Sequence, residues 1–247
     1  MIAAGLGLAM VALQAGIGAT NDLVDAPRDA GHKPGKPIPA GLVSRTAARR
    51  VVAVVFAVGF VLAGVSGGTA AVTIALVGVA IGLAYDLRLK GTAWSWVPFA
   101  VGVPLLPVFG WLGASGRLPV AFLILVPAAF AAGAALAIAN ALVDVERDRA
   151  AASGSIALAL GPSTARLINA GLVLAVGLAA IGSVEPLGGS ASGAAAVAVA
   201  AVLPVGAAMA AFGGGATRRE RAWELEAIGV AVVAVAWLLA VLPDMPL

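Results

Sequence analysis

Cysteine is absent from the sequence, so disulfides, thiolate metal sites and dithiol redox chemistry are excluded. A single histidine, His32, leaves no multi-histidine metal site and no H-E-x-x-H helix. Charge is scarce as well: Asp, Glu, Lys and Arg make up 11% of the 247 residues, against about a quarter in soluble domains. In their place stands apolar sequence, with 62% hydrophobic residues and a mean hydropathy of +1.06. No water-soluble core of this size hides so much apolar surface, whereas a bilayer solvates it. The isoelectric point near 10.0 comes from only 15 basic against 12 acidic residues. That excess is too small for a polyanion-binding surface, so no nucleic-acid partner is expected.

Eight apolar windows recur along the chain, at residues 2–20, 49–66, 69–85, 94–114, 119–143, 164–184, 192–212 and 223–243. Each is long enough as a helix to cross roughly 30 Å of hydrocarbon. They are continuously apolar and do not alternate with period two, which predicts helices and not a barrel. The expected fold is an all-α, polytopic transmembrane bundle of eight helices. The first window has no basic residues ahead of it and runs directly into a polar motif, so it is read as a retained helix and not a signal peptide.

Basic residues orient the bundle. Arg28, Lys33, Lys36, Arg45, Arg49 and Arg50 follow the first window; Arg88 and Lys90 follow the third. Arg147, Arg149 and Arg166 follow the fifth, and Arg218, Arg219 and Arg221 follow the seventh, leaving Arg117 alone on the other side. The side with fourteen of the 15 is expected to be cytoplasmic, with both termini of this chain opposite. An integral protein of a bacterial-type plasma membrane follows.

The acids gather on the same side. Asn21, Asp25 and Asp29 are spaced i, i+4, i+8, with Asp22 beside them, although Pro27 predicts that the helix bends or ends nearby. Asn140, Asp144 and Asp148 repeat the spacing at the end of the fifth window, which suggests a pseudo-repeat with halves at about 1–114 and 119–247. Carboxylates at this density repel one another unless a cation joins them. Oxygen-only donors without His or Cys suit Mg²⁺, which keeps waters and shares its shell with substrate phosphates. The competing reading is interfacial helix caps and solvated charges beside Arg and Lys, against which stands the cost of acids at a membrane border.

These residues carry a resemblance. Asn21-Asp22-x-x-Asp25-x-x-x-Asp29, followed by Lys33-Pro34-Gly35-Lys36-Pro37-Ile38-Pro39-Ala40-Gly41, resembles the first signature of the UbiA superfamily of intramembrane prenyltransferases. Asp144-Val145-Glu146-Arg147-Asp148-Arg149-Ala150 resembles its second aspartate motif, and Tyr85-Asp86-Leu87-Arg88-Leu89-Lys90 the short segment between them. The resemblance implies one transmembrane prenyltransferase domain over residues 1–247 that moves an isoprenyl chain from its diphosphate to an aromatic or lipid acceptor, releasing pyrophosphate. It implies that Asn21, Asp22, Asp25, Asp29, Asn140, Asp144 and Asp148 hold Mg²⁺ on the diphosphate, and that Lys33, Lys36, Lys90 and Arg149 hold phosphate oxygens. Tyr85 would assist the acceptor or shield the allylic cation; as an interfacial residue it would equally serve as an anchor. No obligatory protein partner is expected. The family fold has nine helices, so the chain is expected to resemble that fold without its first helix. The run after Asp29 lies closer to hydroxybenzoate-type or glycerol-phosphate-type members than to naphthoate-type ones.

Other motifs carry less. Gly64-Val65-Ser66-Gly67-Gly68 fits the nucleophile-elbow pattern but sits in a turn on the side away from the only histidine. Residues 34–39 are proline-rich, which favours extended backbone and suggests a lid. Gly78 and Gly82 read as a packing seam, and Glu224 and Glu226 as a solvated helix start. A CDP-alcohol phosphotransferase would need an upstream D-G-x-x-A-R that is absent. A secondary transporter would place its ionisable groups near the bilayer midplane.

Overall fold

The computed structural model describes residues 1–30, 35–212 and 214–241, and among them regular structure is entirely helical. Seven helices among the described residues are long and apolar enough to cross a membrane. The chain divides into two compact units, one formed by Met1–Arg88 with Leu105–Leu118 and the other by Leu89–Pro104 with Pro119–Leu247.

The first unit is built on α1 (Ile2–Asp29) and α2 (Arg45–Ala84). The latter contains the second and third apolar windows, and Gly68 separates them with φ 63° and ψ −157°, a conformation suited to glycine. The chain reverses there. Gly16 packs on the Phe56 ring and Ile17 packs on Gly82. Residues 56 and 82 would lie about 39 Å apart on a straight helix of 1.5 Å rise, yet both meet the same turn of α1. Seven long helices thus contain the eight expected spans.

Small residues bring these segments together, as they do in membranes where lipid offers no hydrophobic reward for association. A Cβ on Gly59 would lie 2.7 Å from the Leu13 side chain, and one on Gly82 2.9 Å from Ile17. A Cβ on Gly78 would meet nothing within 4 Å, so only Gly82 of the expected seam makes a close approach. Leu6, Ala9 and Leu13, one helical face of α1, are buried with Ala63, Ala71, Ala75 and Phe109.

In the second unit, α4 (Phe122–Val143), α7 (Pro162–Ser183), α8 (Ala191–Ala210) and α9 (Ala216–Val241) pack around Val184, Val197, Val233 and Trp237. The Trp237 indole donates to Ser183 Oγ at 2.8 Å, which satisfies a polar atom inside the apolar cluster. Gly229 lies against Pro204, where a Cβ would come within 2.7 Å of the proline nitrogen. Helix α3 (Val97–Ser115) belongs to the second unit up to Pro104 and to the first from Leu105; short helices α5 (Val145–Ala150) and α6 (Ile156–Leu160) link α4 to α7. Outer positions such as Val65, Leu123 and Val199 are more than 70% exposed, the surface a bilayer covers.

Two boundaries differ from expectation. Helix α9 begins at Ala216, so Glu226 sits about three turns inside it and is 1% exposed, not at a solvated start. The described part of the proline-rich stretch folds as turns and not as extended chain, with Pro37 O accepting from Leu42 N and Val43 N.

Candidate functional site

In the first unit, α1 continues through Pro27 to Asp29, so Asn21, Asp22, Asp25 and Asp29 share one helix and the expected break does not occur. Proline supplies no N–H to the carbonyl four residues earlier, which here is Leu23 O. Arg45 Nη2 reaches that oxygen at 3.5 Å. One turn beyond the Ile17–Gly82 contact, the same two segments bring Asn21 to Asp86, and Asn21 Nδ2 donates to Asp86 Oδ1 at 2.6 Å. Asp86 is buried in a π-helical turn, Tyr85–Leu89, a geometry often found at functional sites. The sequence places Asp86 among the acids of this side and in the Tyr85–Lys90 segment but gives it no ligand role.

Lys36 closes this cluster. Its ammonium lies 2.8 Å from Asp22 Oδ1 and 2.8 Å from Asp29 Oδ2. The hydrogen bond to Asp22, then that to Asp29, hold the Lys36 pKa above its ordinary value. Two carboxylates thus converge on one cationic atom. Asp25 and Asp29 are 8% and 6% exposed, costly for carboxylates without positive charge nearby. Lys33 lies outside the described residues, as does His32.

The second unit holds Lys90, Asn140, Asp144, Asp148 and Arg149. Here the ladder does not lie on one helix: α4 ends at Val143, and Asp144, at φ −95° and ψ 5°, is the junction with α5. Asn140 is on α4 and Asp148 on α5, with Asp148 N donating to Asp144 O at 2.8 Å. Arg147 pairs with Asp144. Burial, then the Asp144 carboxylate, push the Asp148 carboxyl above its ordinary pKa, while a hydrogen bond from Ser155 opposes them. Arg149 is exposed. Lys90 follows the π-helical turn, and its neighbour Gly91 accepts at 3.0 Å from Gly154 N, which ties the Lys90 loop to the segment after Asp148.

Arg219 was read from sequence only as part of a basic cluster, yet it is 4% exposed. Its Nε donates to Leu142 O at 2.7 Å, Nη1 donates to Gly214 O at 3.2 Å, and Nη2 pairs with Glu146. Deeper on the same face of α9, Glu226 Oε2 accepts from Asn169 Nδ2 at 2.9 Å. Asn169 Oδ1 and Glu226 Oε1 have no hydrogen-bond partner among the described residues.

Among the described residues no three carboxylate, histidine or cysteine side chains come close enough to hold a metal by themselves. The donor chemistry nonetheless fits a hard cation. Every candidate ligand is an oxygen, Asp22 and Asp29 already converge on a positive charge, and Asp148 is disfavoured as an anion by burial and by Asp144.

The sequence profile of the UbiA prenyltransferase family matches residues 1–227. No curated protein sequence matches the chain. The fold is similar to the apo structure of a UbiA homolog from Aeropyrum pernix K1, with TM-score 0.76, 21% identity, and coverage of 97% of this chain and 90% of that one. It is also similar to a UbiA homolog from Archaeoglobus fulgidus bound to GPP and Mg²⁺, with TM-score 0.69, 16% identity, and coverage of 96% and 87%. A structure described for digeranylgeranylglyceryl phosphate synthase in membranes matches with TM-score 0.77 and 16% identity, over 97% of this chain and 85% of the other.

Proposed function

Because the chain belongs to the UbiA prenyltransferase family, we propose that it transfers an isoprenyl chain from an isoprenyl diphosphate to an aromatic or lipid acceptor within the membrane, releasing pyrophosphate. The observation that carries this reading is the convergence of Asp22 and Asp29 on the Lys36 ammonium, which sets two carboxylates beside a cation suited to a phosphate oxygen. The Archaeoglobus fulgidus homolog's GPP and Mg²⁺ support the same substrate class and metal.

Asn21, Asp22, Asp25 and Asp29 in one unit, and Asn140, Asp144 and Asp148 in the other, are the residues that would hold Mg²⁺ with the help of phosphate oxygens and water. When bound, the metal neutralises charge on the departing pyrophosphate. Lys36, released from its two carboxylates, takes a phosphate oxygen, and Lys33, Lys90 and Arg149 add positive charge to the same leaving group. The C–O bond to the allylic carbon breaks with its electron pair leaving on pyrophosphate, an electron pair of the acceptor forms the new bond to that carbon, and the proton the acceptor loses passes to pyrophosphate or water. Apolar helix surface excludes water, which would otherwise capture the allylic cation. Tyr85 shields that cation or assists the acceptor. The distribution of basic residues supports a cytoplasmic opening.

The test is turnover by the full chain in proteoliposomes, with isoprenyl diphosphates of several lengths crossed against aromatic and lipid acceptors. Prenylated product with stoichiometric pyrophosphate, lost on adding EDTA and restored by Mg²⁺, is expected. Undiminished transfer in EDTA, or no product with any pair, overturns the reading.

A further inference from the structure

The second aspartate ladder is shaped by a residue outside it. Helix α4 stops at Val143 without proline or glycine, and its last four carbonyls, residues 140–143, lose their intrahelical donors. Arg219, from the first turn of α9, supplies one: its Nε holds Leu142 O at 2.7 Å. The same guanidinium pairs with Glu146, which stands between Asp144 and Asp148 in sequence, and donates to Gly214 O at 3.2 Å. One planar group therefore fixes the end of α4, the first turn of α5 and the start of α9.

We propose that Arg219 is the positioning residue of the second ladder: it sets the break at Asp144 and thereby the geometry in which Asp144 and Asp148 receive a metal-bound diphosphate. This rests on the assignment of those aspartates to the metal site. A guanidinium 4% exposed is held by its three acceptors and is not available as a ligand for substrate. Neutralising Glu146 also matters locally, because residues 144–148 contain three acids; Arg147 takes Asp144, Arg219 takes Glu146, and Asp148 keeps the Ser155 hydrogen bond. The planar fork holds a backbone carbonyl and a carboxylate at fixed angles, which a single ammonium does less precisely, so lysine is a partial substitute.

The experiment uses the full chain in nanodiscs and compares wild type with Arg219→Met, Arg219→Lys, Glu146→Ala and, as control, Asp144→Ala. Mn²⁺ binding in the presence of inorganic pyrophosphate is followed by electron paramagnetic resonance, alongside thermal melting and the KM for each substrate. Arg219→Met is expected to weaken Mn²⁺ binding by about 10- to 100-fold, the usual effect of losing a group that orients metal ligands. Arg219→Lys should recover part of that loss, Glu146→Ala should show a smaller loss, and the acceptor KM should not move. Should Arg219→Met fail to fold, Glu146→Ala, which removes a mostly exposed partner, decides the matter. Unchanged Mn²⁺ affinity in the Arg219 and Glu146 variants, with affinity lost in Asp144→Ala, overturns the positioning role alone. Unchanged affinity in Asp144→Ala overturns the ladder's assignment and this role with it.

Discussion

The two ladders have the same i, i+4, i+8 spacing and opposite backbones. The first contains Pro27 and stays helical to Asp29; the second contains no proline and breaks at Asp144. In both, an arginine from a later helix donates to a main-chain carbonyl. Arg45 reaches Leu23 O, the acceptor that Pro27 leaves without its donor, at 3.5 Å and from an exposed position. Arg219 reaches Leu142 O at 2.7 Å from a buried one. In these two segments helix continuity does not follow the placement of proline, and each leaves a carbonyl to which an arginine from a later helix donates. A long, exposed contact accompanies a helix that persists. A short, buried contact holds a helix end in place.

The comparison can be broken most severely at the carboxylates. Asp25→Ala and Asp144→Ala should each lower transfer by about 100-fold or more, since each removes charge that holds the leaving group's cation. Steady-state turnover of inserted, folded protein measures this; a loss confined to one variant would mean that the ladders are not functional equivalents. A smaller effect is expected at the proline. Pro27→Ala restores a donor to Leu23 O, so Arg45→Ala, which costs within about 0.5 kcal/mol in the native sequence, should cost nothing beside it. A double-mutant cycle on melting temperature reads the coupling, and additivity would detach Arg45 from Pro27.

The smallest effect concerns pH. The Lys36 pKa is raised by Asp22 and Asp29, so the stability it contributes is fully present below the ordinary lysine value of 10.5 and is lost only as pH rises through the still higher folded value. The melting difference between wild type and Lys36→Met should thus be flat from about pH 6 to 9. The half-exposed Asp22 pair should contribute at most about 1 kcal/mol to that difference, and the pair with buried Asp29 the larger part. A difference that shrinks between those limits would show that the pairs do not form as described.

Much of this was legible from residues alone. Long uncharged windows give spans because a bilayer admits few other structures, and the Asn/Asp spacing is a property of the chain itself. What stayed hidden depended on contacts between distant segments. The apolar window ends at residue 143, yet no proline or glycine around Val143-Asp144-Val145 signals that the helix itself breaks there, and the arginine that holds the break lies 77 residues away from Leu142. The proline-rich stretch reads as extended until Pro37 O is seen to cap two amides. Glu226 reads as solvated because the true start of α9 lies among Ala216–Arg221, a charged run that hydropathy assigns to a loop. Once α9 begins there, Arg219, Ala222, Glu226, Gly229 and Val233 fall on one buried stripe.

The reversal at Gly68 bears on how the first unit enters a bilayer during synthesis. From Val51 to Tyr85 the chain has no charged residue, and its two arms are joined by a single glycine with no polar loop between them. Inserting two spans one after the other ordinarily requires carrying the connecting loop across hydrocarbon, where each Lys, Arg or Asp costs roughly 2.5–3.5 kcal/mol at the bilayer centre. Here there is no such cargo. The bend at Gly68 carries no charge, and the charges nearest to it, Arg49 and Arg50 on one arm and Asp86 and Arg88 on the other, all lie at the open end of the pair.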